Sequence, residues 1–397
     1  MIKLKLPTKI EATYKIVTPM FIGDSEQNAT GISPQSFKGA LRFWWRALAW
    51  SRIFSENNNE VTALKELHKQ ESMLFGTSNS DNGGKGCVAI KIPKFNFKTK
   101  KRNQTHPKLT GTHNSIRYLA YGVADHRGML TRDSINENQE FKVIIIVDNT
   151  KKIEEIKKAL IAIGLLGSLG SKARKGLGSI VLKSLNYKCN KEIYKWKPSL
   201  SIEEYIKSIE TLFKSKTLAP SIPPFSAFTK HSTITQLIPA KNDCFSVLSN
   251  YATSMMMYRS WGRNGLVLGR QSLKKFRNDH DWSKGILQMP YSVNTFHPQR
   301  VVFGLPHNYG KIQVGRSLEN DKYGRRSSPL FFHVHQVGKE FIGLAILLKA
   351  TFLPVNEAIL ANGKKINQKI EWDVIEKEFL ENSEYFPDAK QIKNYSI

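Results

Sequence analysis

The chain has 397 residues, with 60 Lys and Arg against 33 Asp and Glu, a formal charge of +27 and a pI near 9.8, so a polyanion is its expected partner. Nucleic acid is favoured over an anionic membrane, because the longest apolar runs, Ala159 to Leu166 and Phe341 to Leu348, are too short to cross a bilayer. Cys87, Cys189 and Cys244 lack C-x-x-C spacing, which argues against a zinc ribbon or disulfide scaffold, and Met1 to Lys9 lacks the apolar core of a secretory signal, so a cytoplasmic location is expected.

In chain order, β-favouring residues predict a first strand over Ile10 to Thr18, stopped by Pro19. Ser33 followed by Pro34 reads as an N-cap and first helical position, opening the helix PQSFKGALRFWWRALAW. Leu41, Trp44, Trp45 and Leu48 fall on one side of it, while Lys38, Arg42 and Arg46 recur at i, i+4 and i+8 on another. The apolar side predicts core packing for the tryptophans. The cations predict a comb of charges one turn apart that can follow phosphates, with an ordinary solvated face as the alternative. A second amphipathic helix spans about Val61 to Phe75, followed by the glycine-rich NSDNGGKG, expected to be mobile.

Strands over Val88 to Ile92 and Phe141 to Val147 flank a basic insertion, Lys94 to Ser115, which has no helical or strand period and is expected to protrude. The helix Ile153 to Leu166 then leads into LLGSLGSKARKGLGS, and a strand over Ile180 to Leu182 leads out. In that loop Gly167, Gly170, Gly176 and Gly178 bracket Lys172, Arg174 and Lys175. Glycines remove the Cβ atoms that keep an anion from backbone N–H groups, and the cations add charge and donors, so the loop is the leading candidate for phosphate contact. A solvated basic connection is the alternative. The glycines follow a helix and precede a strand, the reverse of the nucleotide-loop order, and the Walker pattern is absent.

The order strand, helix, strands, helix, glycine loop, strand is compatible with a ferredoxin-like βαββαβ unit. We therefore expect an α+β protein with a first domain over 1–190, a linker over 191–224 and a second domain over 225–397, each domain large enough for its own core. The linker holds a helix near 199–214 and the proline cluster Leu218 to Ser226. The second half restarts with a strand over Thr233 to Ile238, a helix over Phe245 to Trp261 and strands over Phe331 to Val337 and Phe341 to Phe352, in the manner of a degenerate copy of the first. Arg259, Arg263, Arg270, Arg325 and Arg326 are its candidates for contact with the polyanion, with plain surface charge as the alternative.

Two segments carry a resemblance. TPMFIGDSEQNATGISPQSFKGALRFWWRAL (18–48) and LGSLGSKARKGLGS (166–179) resemble the RAMP superfamily of CRISPR proteins, and within it the first-subunit family of type III-B (Cmr) effector complexes. That family repeats a TPMFIGG element, an IKGALRFWWRA helix and a GGLGSRSRRGFGS-like loop in this order. This chain departs from it at Asp24, Ser168, Lys172 and Ala173, and its second half adds weaker likenesses in YRSWGRNG, FRNDHDW and RRSSPLFFHV. The resemblance implies two ferredoxin-like domains with a basic cleft between them. It also implies a non-catalytic subunit that contacts CRISPR RNA or target single-stranded RNA near the guide 3′ end, beside other Cmr subunits, in defence against invading nucleic acid. Target slicing would belong to another subunit, and no cofactor or metal is implied.

Catalysis remains an alternative. Asp279, His280 and Asp281 resemble a phosphohydrolase pair, but the further ligands of a metal site are missing, and a solvated acidic turn is the simpler reading. His333 and His335 share one strand face without a third ligand at metal spacing. A metal-independent, guide-processing endoribonuclease would need a histidine base, for which His113 and His126 lie near arginines. A basic structural protein of another ribonucleoprotein is the third reading.

Overall fold

The computed structural model describes residues 7–78, 84–108, 115–125, 127–189, 192–214, 217–262, 264–288, 298–309, 312–317, 323–354, 356–361, 363–366 and 369–394. Most of NSDNGGKG, together with His113, His126 and Arg263, lies outside these residues.

The first half runs β1 (Thr8–Ile16), α1 (Pro34–Asn57), α2 (Glu60–Phe75), β2 (Val88–Lys91), β3 (Thr99–Lys100), α3 (Ile116–Leu119), β4 (Ser134–Ile135), β5 (Glu140–Val147), α4 (Ile153–Leu166), β6 (Ile180–Cys189), β7 (Glu192–Trp196) and α5 (Ile202–Phe213). Its main sheet has the order β2-β5-β1-β6-β7 with every pair antiparallel. Alternation along β1 buries Ile10, Ala12, Tyr14 and Ile16, so one face of the sheet is covered. The Ser33 hydroxyl accepts from the Ser36 N–H and Pro34 opens α1 as expected, although the helix continues seven residues past Trp50 to Asn57.

The second half runs β8 (Ser232–Lys241), α6 (Cys244–Arg259), β9 (Leu266–Val267), β10 (Arg270–Gln271), α7 (Arg277–Gln288), β11 (His307–Tyr309), β12 (Ile312–Ser317), β13 (Tyr323–Gly324), β14 (Leu330–Val337), β15 (Glu340–Leu348), β16 (Ile359–Ala361), β17 (Lys364–Ile366) and β18 (Lys390–Asn394). Its main sheet is β14-β15-β8-β18, again antiparallel, and a second sheet of five shorter strands runs β11-β12-β16-β17 with β13 paired to β12. Eight of the nine residues of β15 are buried, which explains an apolar run with no alternation. Between β15 and β18 the chain makes a 3₁₀ turn (Trp372–Val374) and a π turn (Glu376–Leu380), which sequence periodicity did not suggest.

The halves do not keep separate cores. One buried cluster joins Tyr14, Trp45 and Trp50 to Tyr205, Phe228, Phe331 and Ile346, and another joins Phe21, Leu177 and Val181 to Leu248, Tyr251 and Phe332. Helix α5, expected in a linker, packs inward: the Tyr205 hydroxyl donates to the Leu165 carbonyl at 2.9 Å, and its ring lies 4.2 Å from that of His335. The insertion is also tied down where it is described. β3 pairs with β4, Lys101 Nζ reaches Asp133 at 2.8 Å and His106 is buried, because Asp133 gathers the backbone N–H groups of Ala29 and Arg102 as well.

Candidate nucleic-acid interface

The two sequence segments that carry the resemblance meet in space. Val17 N–H donates to the Ser179 carbonyl, Gly178 N–H to Pro19 and Ser171 N–H to Phe21, each at 2.8 to 2.9 Å. The Thr18 hydroxyl donates to the Gly176 carbonyl at 2.7 Å and accepts from Ser179 N–H at 2.9 Å. On its other side the loop extends the edge of the second sheet. Phe332 N–H donates to the Arg174 carbonyl at 3.0 Å, and Val334 N–H to the Ser179 hydroxyl at 3.1 Å. The loop is therefore a hydrogen-bonded joint between two sheets, buried over Gly176 to Ser179, half-buried over Ser171 to Lys175 and exposed at Gly170.

This placement corrects the role expected of the glycines. Gly178 has φ +66°, and an added Cβ would lie 2.0 Å from the Leu169 carbonyl oxygen; at Gly176, with φ +82°, it would lie 2.7 Å from the Phe332 ring. Gly167 and Gly170 approach the backbones of Ile163 and Phe21 as closely. Among the four only Gly170 lines the cleft described next, so the glycines mainly let backbone and core meet.

Beside the loop lies a cleft of about 510 Å³ whose lining, among the described residues, includes Lys172, Arg174, Lys175, Arg259, Arg325 and Arg326 and no Asp or Glu. These six predicted residues come from three segments: the glycine loop, the end of α6 and the turn before β14. Crowded cations in a partly desolvated site repel one another, and the repulsion appears in their acidities. Burial, then Arg259 and Lys172, pushes the Lys175 ammonium down to about 7. Burial and then Arg326 bring Arg174 to about 10, while burial, Arg325 and Arg132 lower Lys172. Lys172 holds φ +63°, a left-handed backbone uncommon for lysine.

The six are not equally free. Arg174 donates to the Ser328 carbonyl, with its guanidinium carbon 4.3 Å from the Phe331 ring centre and 5.8 Å from that of Phe43. Arg326 donates to the carbonyls of Phe352 at 2.5 Å and Ser327 at 2.9 Å, so it braces the wall. Arg259 lies over Phe303 at 4.6 Å, and its buried Nε has no partner among the described residues. Arg325 is exposed.

Other candidates lie elsewhere. The α1 comb is corrected: Arg42 Nε and Arg46 Nη1 both reach Glu71 Oε1 of α2 at 2.6 Å, because α2 packs along α1 and places a buried carboxylate under the stripe. Lys38 is half-buried and, like Arg270 on β10, is not part of the cleft lining. Trp44 and Trp45 are core residues, the latter donating from Nε1 to Glu155 at 2.9 Å.

The solvated acidic turn is also corrected. Asp279 is fully buried, accepts from the N–H groups of Gln299 and Arg300 at 2.9 Å and from the Tyr309 hydroxyl at 3.0 Å, and is raised above the usual carboxylate range by that burial. His280 stacks on Trp261 at 3.9 Å. His333 and His335 are buried 3.3 Å apart, and burial drives the first to about 3 and the second well below the ordinary imidazole value. Among the described residues no three His, Cys, Asp or Glu side chains group as a metal site, and no helix is long and apolar enough to cross a membrane.

Sequence reasoning missed His307, which lines the cleft with a buried Nε2 that has no partner among the described residues. Burial, then Arg300 and Arg259, holds its imidazole well below the ordinary value, so it is neutral at pH 7. It opens the short strand β11 at the end of FGLPH, where no periodic pattern points at it.

Residues 13–181, which include helix α1 and the glycine loop, match the model of the RAMP superfamily. Over that segment the chain is similar to the RAMP superfamily, and over more of its length to Cmr1 proteins. It is 24% identical over 333 residues to CRISPR system Cmr subunit Cmr1-1 of Pyrococcus furiosus, covering 80% of this chain and 81% of that one. To Cmr1-2 of the same organism it is 24% identical over 179 residues, 43% of this chain and 92% of that one. The crystal structure of apo Cmr1 from Pyrococcus furiosus superposes with a TM-score of 0.59 at 18% identity, covering 98% of this chain and 99% of that one, so the fold is shared over nearly its whole length.

Proposed function

We propose that this protein is a non-catalytic RNA-binding subunit of a type III-B CRISPR effector complex, and that it holds single-stranded CRISPR RNA or target RNA in the cleft beside the glycine loop. The observation that carries the reading is the gathering of six cations from three separate segments into one lining that has no carboxylate among the described residues. Like charges so placed cost free energy until a polyanion relieves them, which favours phosphates spread along a backbone over a single small anion.

In this reading the two main sheets are two ferredoxin-like units. Both have the spatial order second, third, first, fourth strand: β2-β5-β1-β6 in one and β14-β15-β8-β18 in the other. The four-strand cores of the units fall within 1–190 and 225–397, β7 of the intervening 191–224 segment adds a fifth strand to the first, and the cleft follows their junction. Position near the guide 3′ end and contact with neighbouring Cmr subunits belong to the same proposal, by likeness to the relatives named above.

His307 gives a second reading its one specific observation. A neutral imidazole among cations is the arrangement by which a 2′-hydroxyl is activated and a phosphorane supported without metal. End-labelled single-stranded RNA with a CRISPR repeat, incubated in EDTA and in Mg²⁺ and run on native and denaturing gels, separates the two. A native shift with intact RNA, lost in Lys172→Ala/Lys175→Ala/Arg325→Ala, is expected. A discrete product that disappears in His307→Ala would replace the binding reading by cleavage.

A further inference from the structure

On the far side of Arg259 lies a second, smaller pocket of about 200 Å³, to which Arg259, Lys274, Lys275 and Arg300 contribute. Its wall is aromatic: Trp261 and His280 stack 3.9 Å apart within 9° of parallel, and Lys274 Nζ lies 5.3 Å from the Trp261 ring centre. None of the four cations has a carboxylate within 4.0 Å among the described residues. The nearby Asp279 attracts Arg300, while its oxygens accept from the Gln299 and Arg300 backbone N–H groups and the Tyr309 hydroxyl rather than from any of the four cationic side chains.

The two arginines are held by their surroundings with donors to spare. Arg300 lies 4.4 Å over Tyr309 and makes only long bonds to the carbonyls of Arg259 and Asn308, at 3.5 and 3.4 Å. Its Nε, like that of Arg259, is buried without a partner among the described residues. Buried guanidinium donors left in this state call for an acceptor. A volume of 200 Å³ is below the roughly 300 Å³ at which pockets for whole small molecules begin, so the site fits one group rather than a nucleoside.

We infer that this pocket is a single-phosphate subsite that continues the RNA cleft across Arg259. The inference rests on the RNA-binding reading, because the shared Arg259 lets one strand occupy cleft and pocket together. The phosphate is either an internal phosphodiester or a terminal phosphomonoester of that strand.

The test uses fluorescent oligouridine bearing a 3′-phosphate, a 5′-phosphate or hydroxyls at both ends, titrated with wild type, Lys274→Gln/Lys275→Gln and Arg300→Gln. Thermal melting confirms that each variant is folded, and the lysine pair, one half-buried and one exposed, carries the test if Arg300→Gln does not fold. The lysine variant is expected to bind about tenfold more weakly, with the slope of log K against log salt reduced by about 0.7, one phosphate contact on a single strand. Loss confined to one phosphorylated end assigns the pocket to that terminus, whereas equal loss on all three probes assigns it to an internal phosphate. Unchanged affinity and slope on every probe, with binding still abolished by the cleft variant Lys172→Ala/Lys175→Ala/Arg325→Ala, overturns the subsite and leaves the cleft standing. Failure of wild type to bind any probe at low salt overturns both.

Discussion

Helix α1 and the glycine loop present the same signal in sequence, three cations on a short stretch beside apolar residues, and the structure treats them in opposite ways. On α1, Arg42 and Arg46 share Glu71, a carboxylate that α2 brings under the stripe, so two of the three cations are braced inside the fold. In the glycine loop, Lys172, Arg174 and Lys175 meet further cations from α6 and from the turn before β14, with no carboxylate in the lining among the described residues. A basic stretch becomes a polyanion site when its tertiary neighbours repeat its charge, and a structural brace when they oppose it.

The sharpest way to break this comparison is to disturb the joint instead of the charge. Gly178→Ala forces a side chain at φ +66° against the Leu169 carbonyl, and should lower stability by about 3 to 4 kcal/mol, read by urea melts. Lys172→Ala/Lys175→Ala/Arg325→Ala should leave the melt nearly unchanged. It should weaken single-stranded RNA binding roughly 100-fold, three contacts at about 1 kcal/mol each.

Next in size is a dependence on pH. With Lys175 near 7 in the free protein, an RNA phosphate would raise it, so binding takes up a proton above that value. Affinity should therefore fall by up to about tenfold per unit as pH rises above 7, and Lys175→Arg should flatten the profile. The same depressed value means that Lys175 opposes folding below pH 7, and that this opposition fades as pH rises through 7 toward the ordinary lysine range. The smallest effect on RNA is expected from Glu71→Gln. It should cost about 1 to 2 kcal/mol of stability by unpairing two half-buried arginines, and change RNA affinity less than twofold. A larger change in affinity would show that the α1 stripe reaches RNA after all.

Much of the frame could be read from local chemistry. The Ser33-Pro34 helix start, the alternation in the first strand and the glycine loop between α4 and β6 each follow from a few adjacent residues. What escaped was set by distant partners. Nothing near Arg42 announces Glu71, nothing near Gly178 announces the Leu169 carbonyl pressed against it, and nothing in FGLPHN announces that His307 faces the cleft. The turns at 372–380 lack a full helical period, and burial of Asp279 depends on the segment at 299–300 folding over it. The weak sequence likeness of the two halves likewise hid a repeated strand order that only the paired sheets display.

The most direct test of the central claim is the salt dependence of single-stranded RNA binding, measured by fluorescence anisotropy for wild type and for Lys172→Ala/Lys175→Ala/Arg325→Ala. Each phosphate contact on a single strand contributes about 0.7 to the slope of log K against log salt. Loss of roughly two units of slope in the variant would place the phosphate backbone in the cleft. An equal slope in both proteins would mean that RNA, if bound, is held elsewhere on this basic surface.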